Sequence, residues 1–173
     1  MSGVRSGRIA GRWLLGIGLL GTVLSVGCKS FLDPYPPPQV ISETNFDPSL
    51  GIDLSKMTVT SSGLYYQDIV VGDSTEVGPA DTVSIDYTAW LSDGTQVQTG
   101  SDVALPLGLG AVIPGLDEGL IGMKVGGERK LIIPSDLAYG DIGNGVVPGG
   151  AIVVFDVIVK KVGEVTLGTG TTG

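Results

Sequence analysis

Two of the side chains that often carry catalysis, histidine and cysteine, are absent or nearly absent from this chain. Its 173 residues include no histidine, which excludes imidazole catalysis, Ser-His-Asp triads and histidine-ligated metal sites. The chain has one cysteine, Cys28, so no disulfide can form within it. Any reaction that the protein performs must therefore proceed without an imidazole base, and we predict neither a metal nor a cofactor.

Two short patterns resemble ligand-binding motifs but lack required parts. Gly108-Leu109-Gly110 has neither the third glycine nor the long following helix of a dinucleotide site. Asp81, Asp86 and Asp93 lie on predicted strands and turns, without the regular loop of a calcium site. The formal net charge of −8 argues against a nucleic-acid partner, because such binding requires a basic patch to neutralise phosphates.

The segments that must position any site have mainly the pattern of strands. From Thr82 to Trp90 apolar and polar residues alternate, which predicts a strand with Val83, Ile85, Tyr87 and Ala89 on one buried face. The residues from Ser92 to Thr95 are typical of a turn between antiparallel strands. Further strands are predicted at 64–70, 128–133 and 151–162, with Glu128-Arg129-Lys130 as a solvated strand end.

Only the segment from Pro114 to Met123 is predicted to be helical. Proline suits the first helical position, where its missing N–H costs nothing. Leu116, Leu120 and Met123 fall on one side, and a helix this short needs packing to persist. The prediction is therefore an α+β domain, in which a curved antiparallel sheet of about five strands wraps on one short helix.

Several short motifs follow one another between residues 82 and 156. They are Tyr87-Thr88, Leu91 with Asp93-Gly94, Val112 to Gly115, Glu118-Gly119, Met123, Gly126, Ile132 to Pro134, Ala138 to Gly140, Pro148 and Val154 to Asp156. Each motif is weak alone, but their joint order resembles the FKBP-type peptidyl-prolyl cis-trans isomerases. The resemblance covers roughly residues 57–162 and agrees with the predicted fold.

The resemblance implies a pocket between helix and sheet that accepts the proline of an Xaa-Pro peptide. Its catalytic residues would be Tyr87, Ile113, Tyr139 and Phe155. Its substrate-binding residues would be Val97, Gln98, Val103, Val112, Leu116, Val146 and Val147. The backbone N–H of Ile113 and the hydroxyl of Tyr139 would each donate a hydrogen bond to a substrate carbonyl.

Such a pocket can accelerate rotation about a peptide bond without an acid, a base, a metal or a nucleophile. The rotation barrier of about 18–20 kcal/mol arises from amide resonance. The twisted transition state has lost this resonance and its charge separation, so an apolar pocket favours it over the more polar planar ground state. A chain without histidine is therefore suited to this reaction.

Several positions depart from the family pattern. Val97 and Gln98 stand where the family usually carries Phe-Asp, so the aromatic wall is reduced and a carboxylate is missing. Leu116 stands where many members have tryptophan as the pocket floor. The loop after Tyr139 is slightly shorter, with Asn144 near the position where a histidine is common. These departures bear on catalytic rate and on macrolide binding more than on the fold.

Two functions remain open on this resemblance. The first is an isomerase that speeds slow Xaa-Pro steps in the folding of exported proteins, steps that take about 10–100 s uncatalysed. The second is a catalytically weak chaperone or peptide-binding module of the cell envelope, which Val97 and Gln98 favour. Macrolides are a further class of ligand that the family implies.

The N-terminal segment has the pattern of an export signal. Arg5, Arg8 and Arg12 precede an uncharged run from Trp13 to Val26, which has the form of a secretory signal peptide and is short for a spanning helix. The run ends on Gly27-Cys28 and so resembles a bacterial lipoprotein signal, in which the cysteine thiol is acylated and becomes the mature N-terminus. The alternatives are an uncleaved anchor and an ordinary secretory signal.

These patterns divide the chain into four predicted segments. They are a signal peptide (1–27), a lipidated cysteine with a proline-rich extended tether (28–56), the isomerase domain (57–162) and a disordered glycine- and threonine-rich tail (163–173). The predicted location is the cell envelope, with the lipid anchor in a membrane. Lys29 after the cysteine favours the outer membrane, facing the periplasm.

Overall fold

The computed structural model describes residues 36–163, so the predicted signal peptide, Cys28 and the tail beyond residue 163 lie outside the described residues. Its strands are β1 (Thr58–Val59), β2 (Tyr65–Val70), β3 (Thr82–Leu91), β4 (Gln96–Pro106), β5 (Glu128–Ile133) and β6 (Val153–Gly163). The helix α1 (Pro114–Leu120) lies between β4 and β5 in the chain. No helix within residues 36–163 is long and apolar enough to cross a membrane.

The strands form one antiparallel sheet in the order β1-β2-β5-β6-β3-β4. The predicted α+β class, with an antiparallel sheet and a short helix, is therefore confirmed. The described region has six strands instead of about five. The additional strand is β1, whose two residues are too few to show an alternating pattern.

The helix covers one face of the sheet and closes the main core there. Val83, Ile85 and Ala89 of β3 are buried as the alternation predicts. They pack with Leu116 and Leu120 of α1 in a cluster that also contains Leu131, Ile133, Val153, Phe155, Val157 and Val159. Burial of this apolar surface is the main term that stabilises the domain.

The helix ends at Leu120, three residues before the predicted end at Met123. Gly122 has a φ of 78°, a left-handed conformation that stops a helix and favours glycine. Met123 nevertheless packs in the main core. A Cβ on Gly119 would lie 2.7 Å from Leu131 Cδ1, so this glycine lets the helix approach β5 closely.

Arg129 on β5 satisfies the exposed carbonyls at the end of this short helix. Its Nη1 donates to the carbonyls of Gly119 at 2.9 Å and Ile121 at 3.4 Å. Its Nε donates to Asp68 at 2.6 Å, and the guanidinium lies 4.6 Å from the centre of the Tyr66 ring. The prediction of a solvated strand end is therefore wrong for Arg129, because the last carbonyls of a helix need donors and attract positive charge.

The segment before β1 packs on the opposite face of the sheet. It forms three 3-10 turns, Ile41–Glu43, Pro48–Leu50 and Leu54–Lys56. Ile41 and Leu50 are buried in a second cluster, whose other buried members are Ile132, Ile152 and Val154. The prediction of an extended tether is therefore wrong for residues 41–56, because their apolar side chains cover apolar residues that the sheet presents on this face.

Two aspartates begin the later turns. Asp47 Oδ1 accepts a hydrogen bond from the Ser49 N–H at 2.8 Å, and Asp53 Oδ1 accepts one from the Ser55 N–H at 3.1 Å. Pro48 occupies the first position of its turn, where proline has the required φ. Asp47, Pro48 and Asp53 thus initiate turns instead of extending the chain.

We predict that Leu50→Ala lowers the free energy of unfolding by about 2–3 kcal/mol, because it opens a cavity in the second cluster. The measurement is urea unfolding followed by circular dichroism. The matched control is Leu109→Ala at a residue that is 71% exposed, where the change should stay within about 0.5 kcal/mol. Equal effects of the two substitutions would contradict the observed packing of residues 41–56.

Candidate active site

A cavity of about 580 Å³ opens between α1 and the strands β3, β4 and β6. This is the size of many small-ligand pockets. The side chains that line it come from the sheet, the helix and two loops. They are Tyr87, Gln98, Val103, Leu105, Ala111, Val112, Ile113, Pro114, Leu116, Ala138, Tyr139 and Phe155.

The structure brings together eight of the eleven residues predicted from the sequence. These are Tyr87, Gln98, Val103, Val112, Ile113, Leu116, Tyr139 and Phe155. Val97, Val146 and Val147 are not among the lining residues. Leu105, Ala111, Pro114 and Ala138 were not assigned to the cavity lining from the sequence. Leu105 could have been found, because it lies two residues after Val103 on the same face of β4.

Strand β4 presents Gln98 to the cavity, whereas Val97 packs against the main core. Gln98 lies opposite Ala89 and Gln96 lies opposite Trp90, so Val97 is an extra residue at a bulge. Consecutive residues of a regular strand point to opposite faces, but the bulge allows Val97 to pack against the main core although Gln98 faces the cavity on the same side of the sheet.

The loop after Tyr139 is folded around Asn144. Its Oδ1 accepts hydrogen bonds from the backbone N–H groups of Val146 at 3.2 Å and Val147 at 2.8 Å. Val147 is thereby buried in the main core, and Val146 is 64% exposed. The residue that stands near a common histidine position in the family thus has a structural role in this loop.

Two aromatic rings form the deep wall of the cavity. The ring centres of Tyr87 and Phe155 are 5.9 Å apart, with 36° between the ring planes. Phe155 is held by β6 and is 2% exposed. Gly100 lies opposite Tyr87 on β4, and a Cβ there would fall 2.6 Å from Tyr87 Cε1. The missing side chain of Gly100 therefore leaves room for the Tyr87 ring in its observed place.

The helix start provides a backbone donor. Ile113 precedes Pro114, and its carbonyl accepts hydrogen bonds from the N–H groups of Leu116 at 3.0 Å and Asp117 at 3.1 Å. Its own N–H donates no hydrogen bond to another described residue. The Asp117 carboxylate accepts from the Gly108 N–H at 3.0 Å, which ties the loop before Ile113 to the helix.

Tyr139 provides the second donor. Burial of its hydroxyl raises the pKa of Tyr139 above the usual value near 10, and the neighbouring Tyr87 phenol adds to the effect. A raised phenol pKa favours the neutral form, so the hydroxyl remains protonated across physiological pH. It can then donate a hydrogen bond to a carbonyl oxygen.

The cavity is uncharged as well as apolar. Its lining has no acidic or basic side chain, and its polar side-chain groups are the Gln98 amide and two tyrosine hydroxyls. Such a cavity suits a neutral, compact apolar group whose adjoining carbonyls accept hydrogen bonds from Ile113 and Tyr139. It has no group that could act as an acid, a base or a nucleophile near neutral pH.

Comparison with known proteins gives a consistent result. Residues 73–160 match the family described as FKBP-type peptidyl-prolyl cis-trans isomerase. The chain is 41% identical over 107 residues to the FK506-binding protein of Neisseria meningitidis serogroup B, which covers 59% of this chain and 98% of that relative. It is 42% identical over 100 residues to the FKBP-type peptidyl-prolyl cis-trans isomerase FkpA of Aeromonas hydrophila, which covers 57% of this chain and 37% of that relative.

Two crystal structures extend the similarity to three dimensions. FkpA from Escherichia coli superposes with a TM-score of 0.59 at 35% identity, covering 63% of this chain and 52% of that chain. AtFKBP13 superposes with a TM-score of 0.58 at 30% identity, covering 61% of this chain and 97% of that chain. This chain thus spans about half of the FkpA chain and nearly all of AtFKBP13.

We predict that the phenol of Tyr139 titrates above pH 10, because its burial disfavours the charged form. The measurement is the ultraviolet absorbance of tyrosinate between pH 8 and pH 12 in the wild type and in Tyr139→Phe. The difference between the two curves isolates Tyr139. Tyr65→Phe, on the opposite face of the sheet, is the matched control. A difference curve with its midpoint below 10 would contradict the observed burial of the hydroxyl.

Proposed function

The chain belongs to the FKBP-type peptidyl-prolyl cis-trans isomerases, and from this premise we propose that its cavity binds the twisted Xaa-Pro amide of a substrate. The single observation that carries this proposal is the lining of the cavity, which is apolar and without ionised side chains. A twisted amide has lost its resonance and part of its polarity. An apolar lining therefore stabilises the twisted amide relative to the planar one.

In this proposal the aromatic wall receives the proline ring. Tyr87 and Phe155 offer it two ring surfaces, and Leu116 forms the floor below them. Burial of apolar surface contributes about 25 cal/mol per Å², so a proline ring gains affinity here without any charged contact. Val103, Val112 and Gln98 complete the proposed substrate-binding set from β4 and the loop before α1.

The two donors orient the substrate around the rotating bond. The Ile113 N–H, which has no described partner, would donate to one substrate carbonyl. The Tyr139 hydroxyl, held neutral by its burial, would donate to a second carbonyl. The contribution of Tyr139 would be worth about 0.5–1.5 kcal/mol, the usual value for one hydrogen bond.

A second candidate function is a catalytically weak peptide-binding module or chaperone of the cell envelope. The observation that favours it is at β4, where Val97 packs into the core and Gln98 offers the cavity a neutral amide. Val97 stands where the family usually has an aromatic residue and adds no wall to the cavity. Gln98 stands where the family usually has a carboxylate and adds no charge. A reduced wall would hold the rotated amide less closely while the cavity would still accept a peptide.

The proposed clients are exported proteins that contain slow Xaa-Pro bonds. This part of the proposal is supported by the basic and apolar N-terminal sequence that ends on Gly27-Cys28. An acylated Cys28 would hold the protein at a membrane surface of the cell envelope, the outer membrane if Lys29 acts as a sorting signal. The isomerase domain would then act on chains that emerge near that membrane, and macrolides would compete for the same cavity.

We predict that the full chain accelerates the cis-to-trans rotation of a peptide with leucine before proline. We expect Phe155→Ala to lose at least tenfold in kcat/KM, because the aromatic wall is removed. Rotation is measured from the decay of the cis isomer by exchange NMR. The refolding rate of a protein limited by proline isomerisation, measured beside it, tests action on a protein client.

The control for this comparison is Phe46→Ala, a phenylalanine truncation in the second cluster on the opposite face of the sheet. Provided that both variants are folded, only Phe155→Ala should lose activity. A folded wild type that binds the peptide without accelerating its rotation would support the peptide-binding module instead. A Phe155→Ala variant with full activity would show that the proposed cavity is not the catalytic one.

The anchor is tested separately. Cys28→Ala should move the protein from the membrane fraction to the soluble fraction or block its processing, because the acylated thiol is lost. The measurement is membrane fractionation with metabolic labelling by a fatty acid. The control is Ser30→Ala, two residues away, which leaves the thiol in place. Unchanged fractionation and unchanged electrophoretic mobility of Cys28→Ala would remove the lipoprotein assignment and leave the proposed isomerase activity intact.

A further inference from the structure

We infer that Gln39, which lies outside the matched residues 73–160, positions the loop that begins at Tyr139. This inference rests on the proposed role of Tyr139 as a substrate donor. Gln39 does not line the cavity, so its action would be indirect. The argument follows the hydrogen bonds from the loop to the segment before β1.

The loop is closed at its base by a pair of glycines. The Gly150 N–H donates to the Gly140 carbonyl at 2.9 Å, next to Tyr139. Within the loop, the Gly143 N–H donates to the Tyr139 carbonyl at 3.1 Å. Ile142 at the loop tip is 76% exposed, whereas Val147 later in the loop is buried in the main core. The hydrogen bonds at the loop base adjoin Tyr139 in the chain, so they contribute to its position together with this packing.

Gln39 holds this base through its backbone and its side chain. Its N–H donates to the Gly150 carbonyl at 2.8 Å, and its Oε1 accepts from the Ile152 N–H at 2.9 Å. The side-chain amide also lies 3.3 Å from the Ser92 hydroxyl, at the end of β3. Gly140, Gly150 and Gln39 are thus joined in series, and the Gln39 amide bridges the loop base to the buried residue Ile152.

The segment containing Gln39 is packed tightly at both of its ends. A Cβ on Gly150 would meet Pro38 Cα at 3.1 Å and the Pro36 and Pro37 carbonyls at 3.2 Å, so the proline run lies directly on the loop base. Gly150 also has a φ of 73°, which a larger residue rarely adopts. Two residues after Gln39, Ile41 is buried in the second cluster. The sheet therefore anchors the segment that holds the loop.

Two substitutions at Gln39 test this arrangement on the full chain. Gln39→Ala leaves the Ile152 N–H without its acceptor, and we expect kcat/KM for the leucine-proline peptide to fall about three- to tenfold. Gln39→Glu keeps a carbonyl-type oxygen that can accept from both Ile152 and Ser92, so it should restore most of the activity. Gln67→Ala, on β2 and without a side-chain hydrogen bond to a described residue, is the matched control.

A second readout separates positioning from a general loss of stability. Backbone amide exchange at Gly143 and Gly150 reports the two hydrogen bonds that close the loop. At a temperature well below unfolding, Gln39→Ala should speed exchange at these two amides while the β6 amides stay protected. A variant that is merely less stable would speed exchange throughout the sheet.

Unchanged kcat/KM, or unchanged exchange at Gly143 and Gly150, in folded Gln39→Ala would overturn the inference. A failure of Gln39→Glu to recover activity, with its fold intact, would count against the hydrogen bond to Ile152 as the cause. An inactive wild type would instead defeat the proposed function. Amide exchange at Gly143 and Gly150 would then be the only test of how Gln39 positions the loop. Faster exchange in Gln39→Ala would support this positioning, and unchanged exchange would overturn it.

Discussion

The burial of the start of strand β6 on both faces is the constraint on which the rest of the structure depends. β6 pairs with β3 on one side and β5 on the other, and from Val153 to Phe155 its side chains alternate between two apolar clusters. Phe155 and Val157 face the helix, and Phe155 forms the deep wall of the cavity. Val154 faces the opposite way and requires cover from the segment before β1. The cavity wall and the N-terminal cover are thus fixed by adjacent residues of one strand, because the side-chain period of a strand is two.

The same alternation explains what could be predicted from the sequence. The buried positions of β3 follow from the alternation of apolar and polar residues. The start of α1 at Pro114 follows from the backbone geometry of proline, and most of the cavity lining follows from the order of the short motifs. Val97 packs against the core at a bulge, which is a property of strand pairing and leaves no clear mark in the sequence. Arg129 was expected in solvent, because nothing in its local sequence reveals that a helix end lies above it. The packing of residues 41–56 was also missed, since several of them are polar and they directly follow a proline run that resembles a spacer.

The chemistry of the site depends on what it lacks as much as on what it contains. A cavity without ionised side chains cannot polarise a substrate strongly, so in the proposed function selectivity would come from shape, from ring contacts and from the two neutral donors. Neutral donors have the advantage that their hydrogen-bonding state does not change near neutral pH, and the raised pKa of Tyr139 extends this range upward. The disadvantage is that, without charged groups in the cavity, substrate binding depends more strongly on the exact positions of these donors. A loop with an exposed tip and one important hydroxyl therefore benefits from support that originates outside it.

Residues 41–56, which cover the second face of the sheet, also bear on how much of the chain is needed for a folded domain without exposed apolar patches. The family match begins at residue 73, after β1, β2 and the three 3-10 turns. A fragment cut at that boundary would present Ile132, Ile152 and Val154 to water and would leave β5 as an open sheet edge. Apolar patches and unpaired edges are the surfaces through which proteins aggregate. In this molecule the part of the chain that covers the apolar surface of the sheet is therefore larger than the part that matches the family model.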